Sequence, residues 1–220
     1  MLRITPLLLL SAAALTAEAQ DGSAGLVGTV EGDVYTSPSG VFKVTVPVLP
    51  ALGGVISDTK NVVTFHDSYG VHVSVAAFSQ DATQRWELST QGMKDYLLYF
   101  FTTFVLPDFR RFTPGAQIES EGYSPNFMDG SMFAYVLLPG GSMFDSPPVF
   151  GPRKTPSVAK RGNLLFVKNG YTFVLSTELS ERVTEGALWK KTPEEEDQIL
   201  QNRLVDIIKK MVFIKPAPPK

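Results

Sequence analysis

His66 and His72, the two histidines of the chain, have the spacing of residues that face each other across a β-hairpin. Apolar and polar residues alternate on both sides of a short polar break, which is the pattern of two half-buried strands. Pairing Phe65 with Val73 places the apolar residues of both strands on one face, because side chains alternate strictly along a strand. The three-residue loop that remains ends at Gly70, where such loops favour glycine. This register sets His66 directly opposite His72.

Such a histidine pair has the geometry of a metal site. Directly opposed residues have Cβ atoms about 4.5–5.5 Å apart, near enough for two imidazoles to bind one metal ion. Zinc needs a third or fourth ligand, and Asp67 is the carboxylate next to His66. We expect no cofactor, and one hypothesis is that His66, His72 and Asp67 instead hold a divalent transition metal. The alternative is that both histidines are polar residues on the less buried face of a sheet.

Two carboxylates, Glu119 and Glu121, resemble a hydrolytic acid pair. On a regular strand, residues two positions apart share a face, and glycosidases use paired carboxylates. The alternative is that both are solvated strand residues, because such enzymes need a larger cleft than a domain of this size offers. The chain contains no nucleophile elbow, zinc-protease, phosphate-binding or dinucleotide motif. The sequence therefore favours a protein that is not an enzyme.

The segment Pro139–Gly162 is crowded with proline, glycine and serine, which predicts a long surface loop. Loops of this length in compact domains are mostly functional or disordered. The segment is either a mobile surface loop or a loop that contacts a partner protein. In the second case its apolar and basic side chains would form the contact: Met143, Phe144, Phe150, Arg153 and Lys154. The remaining basic residues of this predicted loop are Lys160 and Arg161.

The first nineteen residues have the composition of an export signal. Arg3 supplies the positive start, Leu7–Leu15 the apolar run, and Ala17-Glu18-Ala19 a small-x-small cleavage site. Cleavage would make Gln20 the first residue of a secreted or periplasmic protein. The apolar run is shorter than the roughly 20 residues that span a bilayer, so we expect no transmembrane segment.

The amino-acid composition excludes several kinds of chemistry and of binding partner. The chain has no cysteine, which excludes disulfides, thiol chemistry and a lipid-modified N-terminal cysteine. The formal net charge is −2, from 20 basic and 22 acidic residues, and gives no reason to expect nucleic acid as a partner. We expect an exported, soluble protein with a protein partner in the cell envelope.

The order of predicted elements indicates one α+β domain over residues 33–214, between a flexible arm at 20–32 and a disordered tail at 215–220. Asp129-Gly130 and Asn169-Gly170 are dipeptides that favour hairpin turns. The strands predicted around these turns and upstream of the histidine hairpin cover residues 34–36, 41–46, 117–124, 131–138, 163–168 and 171–176.

Two amphipathic helices accompany the strands. The first carries an apolar stripe from Met93 to Phe104, with a start at Ser89 or Thr90 and an end at Pro107. The second begins at Thr192, which opens a capping box with proline at the first helical position.

The stretch Tyr35–Pro47 reads Tyr-Thr-Ser-Pro-Ser-Gly-Val-Phe-Lys-Val-Thr-Val-Pro and resembles the opening motif of the PsbP-like family. That family includes extrinsic proteins of photosystem II, their bacterial relatives and similarly folded nuclear Ran-binding proteins. The strand Val63–Phe65 and a closing helix that leads into Met211 add to the resemblance, which covers about residues 33–214. It implies an antiparallel sheet flanked by helices, as an α/β/α sandwich, and a non-enzymatic binding or assembly role. Many bacterial relatives carry a lipid-anchoring cysteine, which this chain lacks.

Overall fold

The computed structural model describes residues 25–142 and 158–216. Within these ranges eleven strands form two antiparallel sheets. The strands are β1 (Thr29–Glu31), β2 (Val34–Thr36), β3 (Phe42–Thr45), β4 (Val55–Asp58), β5 (Val62–His66), β6 (His72–Ser79), β7 (Gln117–Ser124), β8 (Ser131–Pro139), β9 (Val158–Lys168), β10 (Tyr171–Glu178) and β11 (Met211–Phe213). The small sheet has the order β1-β2-β3-β11, and the large sheet has the order β4-β5-β6-β10-β9-β8-β7.

The hairpin that carries the histidines has the predicted register. Phe65 pairs with Val73, and His66 pairs with His72. The Asp67 N–H donates to the Val71 carbonyl at 3.1 Å, which leaves a three-residue loop. Gly70 closes that loop with a φ of +97°, a conformation that residues with a side chain rarely adopt. Turn chemistry and alternation were therefore sufficient to predict this hairpin.

The helices are α1 (Ala82–Gln91), α2 (Met93–Phe100), α3 (Leu106–Phe112), α4 (Ser180–Glu185) and α5 (Pro193–Lys209). A π-helix over Phe101–Val105 joins α2 to α3, and short 3₁₀ helices cover Pro50–Leu52 and Gly186–Leu188. Within the described residues no helix is both long enough and apolar enough to cross a membrane.

The predicted start and end of the first long helix were wrong. A polar helix, α1, precedes α2 and begins at Ala82. The Asp81 side chain caps α1 in a capping box with Gln84, and Ser89 and Thr90 lie within the helix. Gly92, with a φ of +82°, separates α1 from α2. Pro107 lies in the first turn of α3 and does not end the helical run. Proline is tolerated there because a first-turn N–H has no acceptor within the helix.

The large sheet separates two apolar cores, which confirms the predicted α+β class. One core lies between this sheet and α1–α3, and its largest buried side chains include Tyr96, Phe100 and Phe101. The other core lies on the opposite face, against α5 and the small sheet, and includes Tyr35 and Phe166. The small sheet shares this second layer with α5, a feature that the prediction of a single flanked sheet lacked.

Two strands lie where no strand was predicted. The expected flexible arm at 20–32 includes β1, which pairs with β2, and β4 lies between the predicted strand at 41–46 and the histidine hairpin. Asp58 of β4 accepts hydrogen bonds from the N–H groups of Val27 and Gly28 at 2.8 and 2.7 Å. These bonds fix the arm to the large sheet. Both strands are too short to show a clear alternation in the sequence.

The predicted capping box of α5 is present. The Thr192 side chain accepts from the Glu195 N–H at 3.3 Å, and the Glu195 carboxylate accepts from the Thr192 N–H at 2.9 Å. Leu200, Leu204 and Ile207 form the buried face of the helix. The predicted signal at 1–19 and the end of the predicted tail at 217–220 lie outside the described residues.

Candidate functional site

Polar side chains cover one end of the large sheet, on the face that packs against α1–α3. The strand register places Thr64, Ser74, Ser176 and Asn163 side by side across β5, β6, β10 and β9. The next row contains His66 opposite His72 and Glu178 opposite Arg161. We call these eight residues the polar patch.

Hydrogen bonds and an ion pair hold the polar patch together. Arg161 donates through Nη1 to Glu178 Oε1 at 3.1 Å and through Nη2 to Ser74 Oγ at 2.8 Å. Asn163 Nδ2 donates to the Ala134 carbonyl at 3.0 Å, and Ser176 Oγ donates to Asn163 Oδ1 at 2.8 Å. These contacts fix the rotamers of the patch, so its polar atoms have defined directions.

The charged residues of the patch and His72 are buried, and this burial determines their charge. Arg161 is 5% exposed and Glu178 is fully buried. Burial lowers the pKa of Arg161, and the neighbouring Glu178 carboxylate acts in the opposite direction. Burial also lowers the pKa of His72, against the effect of Glu178, whose Oε2 lies 3.8 Å from His72 Nδ1. At neutral pH the patch therefore contains one compensated ion pair and an uncharged His72.

A cavity of about 490 Å³ lies between the polar patch and the helices. Its floor includes Thr64, Ser74, Ser176 and Arg161. Its walls are mostly apolar and come from β5, β6, β10 and the helical layer: Val62, Ala76, Phe78, Phe100, Phe104, Val105, Phe109 and Val174. The Arg161 guanidinium lies 5.2 Å from the centre of the Phe109 ring, a distance at which a cation interacts favourably with an aromatic face.

The π-helix forms part of this wall. The Leu106 N–H donates to the Phe101 carbonyl five residues earlier, one residue more than in an α-helix. The extra residue changes the direction of Phe104 and Val105, which line the cavity. Phe104 is 44% exposed although its neighbours Phe100 and Phe101 are buried. Single π-helical turns occur frequently at functional sites.

The structure brings the predicted metal ligands His66 and His72 together but directs Asp67 elsewhere. Asp67 Oδ1 accepts from the N–H groups of Tyr69 and Val71 at 2.8 and 3.0 Å, so it stabilises the hairpin loop. His72 is 3% exposed, so this face is not the less buried one. Among the described residues no three or more His, Cys, Asp or Glu side chains form a group that could hold a metal ion. Metal binding by the histidine pair stays a prediction.

Glu119 and Glu121 do not form an acid pair. The register of β7 and β8 shifts between Ile118 and Ser120, a β-bulge that reverses the alternation. Glu119 Oε2 lies 2.5 Å from Lys160 Nζ, on the side of α5. Glu121 lines a separate depression with Lys94 of α2, on the other side of the sheet. The prediction that both carboxylates share a face was therefore wrong.

The predicted loop at 139–162 is shorter than expected. Pro139 belongs to β8, and Val158–Gly162 belong to β9. Lys160 is fully buried, and its Nζ contacts Glu119, Asp197 and Glu196 at 2.5, 2.6 and 3.3 Å. The predicted partner contacts lie outside the described residues: Met143, Phe144, Phe150, Arg153 and Lys154.

Two of the eight residues of the polar patch, His66 and His72, were predicted from the sequence. Arg161 and Glu178 were missed because the hairpin around Asn169-Gly170 was predicted to be shorter than it is. Extending that hairpin two residues in each strand puts Arg161 opposite Glu178. The presence of opposite charges at these two facing positions was therefore the sequence signal that could have indicated the ion pair.

Comparisons with known proteins yield weak structural similarities. No family model matches the chain, and no curated protein is significantly similar. The structure is similar to a mutant of the protein Mog1, with 10% identity, a TM-score of 0.48 and coverage of 84% of this chain and 97% of that chain. It is also similar to the Saccharomyces cerevisiae Ran-binding protein Mog1p, with 9% identity, a TM-score of 0.47 and coverage of 85% and 97%.

A Bacteroides thetaiotaomicron protein is similar with 12% identity, a TM-score of 0.37 and coverage of 87% of this chain and 52% of that chain. These values do not place the chain in a family. The site is therefore interpreted from its own residues.

Proposed function

We propose that this protein is an exported, non-enzymatic binding protein that takes a small, largely apolar ligand into the cavity above the polar patch. One observation carries the proposal: a cavity of about 490 Å³ has aromatic and aliphatic walls and a few fixed polar groups on its floor. Ligand sites of proteins typically measure 300–1,000 Å³ and combine apolar walls with a small number of placed polar groups.

The contacts of the patch support binding rather than catalysis. Arg161, Glu178 and Ser74 are held by one another, and Asn163 is held by Ser176 and a backbone carbonyl. Such a preorganised floor lowers the entropy cost of fixing a ligand. The acid pair that would have suggested hydrolysis is divided between the two faces of the sheet.

A fluorescent probe tests the cavity directly. N-phenyl-1-naphthylamine is uncharged and apolar, and its emission increases when it leaves water. Val62→Trp would fill the side of the cavity that β5 provides. Val212→Trp is the matched control, because Val212 is exposed on β11 of the small sheet.

We expect the purified protein and Val212→Trp to bind the probe equally, and Val62→Trp to bind it at least about tenfold more weakly, which corresponds to 1.4 kcal/mol. Urea denaturation would verify that both variants are folded. Equal probe binding by Val62→Trp and the unchanged protein would contradict the proposal.

Export is the second part of the proposal, and it is supported by the composition of residues 1–19. The test is N-terminal sequencing of the protein after expression with residues 1–19 present. A mature chain that begins at Gln20 is the expected result. An unprocessed chain that stays inside the cell would contradict export and would leave ligand binding unaffected.

Contact with an envelope protein, through Met143, Phe144 and Phe150, remains part of the proposal. Its test is crosslinking in envelope extract, beside a variant with residues 143–157 replaced by a glycine-serine linker. The replacement must stop at residue 157 because β9 begins at Val158. Loss of a captured protein with the replacement is expected, and an unchanged set of captured proteins would contradict this part.

A further inference from the structure

We infer that the ligand of the cavity is an uncharged apolar alcohol whose hydroxyl group binds between Ser74 and Ser176. This inference rests on the proposed function and specifies the ligand class. It follows from two properties of the floor: the balance of its charges, and the directions in which its hydroxyl groups donate and accept.

The charge of the floor is already compensated. Arg161 and Glu178, both buried, form an ion pair at 3.1 Å. A ligand carboxylate beside them would add a second negative charge, and the described residues that line the cavity include no second cation to compensate it. Burying an uncompensated charge costs several kcal/mol in folded proteins. The guanidinium therefore does not make this cavity an anion site.

The cavity does not suit a cation either. Asp108 is the acidic residue of the cavity lining beyond the floor, and its side chain is 66% exposed. Water screens such a carboxylate, which also faces Arg111 Nη1 at 3.5 Å. A ligand ammonium in the cavity would lie near the Arg161 guanidinium. Both signs of charge are thus disfavoured.

The two serines present complementary hydrogen-bonding groups. Ser74 Oγ accepts from Arg161, so its own proton is left to donate into the cavity. Ser176 Oγ donates its proton to Asn163, so its oxygen is left as an acceptor. The two residues are direct cross-strand neighbours on β6 and β10. A ligand hydroxyl can accept from Ser74 and donate to Ser176 at the same time, whereas an ether or a ketone can only accept.

A matched ten-carbon series tests this inference: 1-decanol, decanoate, decylammonium and decyl methyl ether. Each compound is tested for displacement of N-phenyl-1-naphthylamine from the protein at neutral pH, below its solubility limit and, for the two ions, below the critical micelle concentration. We expect decanol to bind about tenfold more tightly than either ion, which is the effect of 1.4 kcal/mol. We expect it to bind about three- to tenfold more tightly than the ether, the effect of one net hydrogen bond.

The variants Ser74→Ala and Ser176→Ala extend the test. Each removes one of the two groups, so each should reduce the ratio between decanol and decyl methyl ether. Ser74→Thr keeps the hydroxyl and should preserve the ratio. Ser176→Ala leaves the buried Asn163 without its serine donor and can therefore fail to fold. In that case Ser74→Ala alone provides the test.

The outcomes separate the inference from the proposed function. Displacement by decanoate or decylammonium as strong as by decanol would overturn the inference while a binding cavity remains. Equal affinity for decanol and its ether in the unchanged protein would do the same. If the probe binds equally to the unchanged protein and to Val62→Trp, the proposed function itself fails.

Discussion

At the scale of single residues, buried charge is the most consequential feature of this protein. Lys160 is fully buried below the first turn of α5, where Glu119, Glu196 and Asp197 surround its ammonium group. Burial alone would lower the pKa of Lys160, but its hydrogen bonds with Asp197 and Glu119 raise it above the ordinary value. Lys160 is therefore charged at neutral pH and connects β7 and β9 to α5.

Removing this cation should strongly destabilise the protein. Lys160→Met leaves several carboxylates close together, and breaking a buried ion pair costs about 3–5 kcal/mol. We expect a loss near 3 kcal/mol, because the Glu119 and Asp197 side chains keep 24% and 22% exposure. Urea denaturation measures the free energy of unfolding.

The matched control for Lys160→Met is Lys168→Met. Lys168 pairs at 3.0 Å with Asp129, whose side chain is 81% exposed. Exposed ion pairs contribute at most about 1 kcal/mol. Equal losses for the two variants would mean that the buried cluster has no special role.

The lowered pKa of Asp58 predicts that the stability of the protein depends on pH in the acidic range. Partial burial acts to raise its pKa, but hydrogen bonds from Val27, Gly28 and Tyr35 lower it below the ordinary value of 3.8. A carboxyl group with a depressed pKa stabilises the folded state above its unfolded pKa, and this stability is lost as the pH falls through the folded pKa.

We therefore expect Asp58→Asn to be less stable than the unchanged protein at neutral pH. The difference should shrink as the pH falls below 3.8, where the carboxyl group of the unchanged protein also becomes neutral. Urea denaturation over a series of pH values measures both effects. A difference that stays constant down to the lowest pH would exclude Asp58 as its source.

The sequence correctly predicts which face of a strand a side chain occupies where strict alternation holds. The same prediction fails where one inserted residue shifts the alternation. The opposition of His66 and His72 followed from alternation and one turn glycine. The separation of Glu119 from Glu121 depends on a β-bulge between Ile118 and Ser120, and neither a glycine nor a proline lies at those positions in the sequence. A pattern argument that assumes strict alternation therefore fails at this point.

At the scale of elements, the π-helix determines which helical side chains line the cavity, since it contains Phe104 and Val105. A deletion of Thr103, an exposed residue within it, would remove the extra residue and favour a continuous α-helix. We expect circular dichroism to show the same helix content and probe binding to weaken, because Phe104 and Val105 would turn away from their present directions. Unchanged probe affinity in a folded deletion variant would show that the π-helix does not shape the site.

Gly162 sets the distance between α5 and the large sheet. A Cβ atom at this position would meet Leu200 Cβ at 2.8 Å, so Gly162→Ala must displace the helix. Overpacking of this kind costs about 1–3 kcal/mol. Gly122→Ala on β7 is the matched control, because apart from its own chain neighbours no atom of the described residues lies within 4 Å of its added Cβ. Thermal or urea denaturation that gives equal stabilities for both variants would contradict this role.

The sequence predicts elements when they bury an apolar stripe. The capping box and stripe of α5 gave its correct start, because both signals lie within a few residues of each other. Helix α1 was missed because none of its residues is buried, so it shows no stripe. The first part of β9 was interpreted as loop because the segment Pro139–Gly162 is rich in proline, glycine and serine and ends in basic residues. The buried partners of Lys160 and Arg161 lie far away in the sequence, so no local pattern indicated that these charges are buried.

At the scale of the whole molecule, the class of the fold followed from the order of hairpins and helices, and the division into two sheets did not. The small sheet joins strands from both ends of the domain, and no local signal pairs β3 with β11. The cavity is likewise a property of the assembled molecule, since its lining comes from three strands of the large sheet, from Arg161 of β9 and from the helical layer. Sequence patterns describe neighbours along the chain, so they missed both features.

The pairing of β3 with β11 also affects when the fold is completed. Residues 42–44 remain without their outer neighbour until residues 211–213 arrive, and Phe213 then closes against Phe166 and Phe173 at ring distances of 5.5 and 5.1 Å. Contacts between such distant segments form late, because the chain must first lose the entropy of the long loop between them. A chain without residues 211–213 therefore leaves the edge of β3 unpaired and leaves Phe166 and Phe173 without the Phe213 ring.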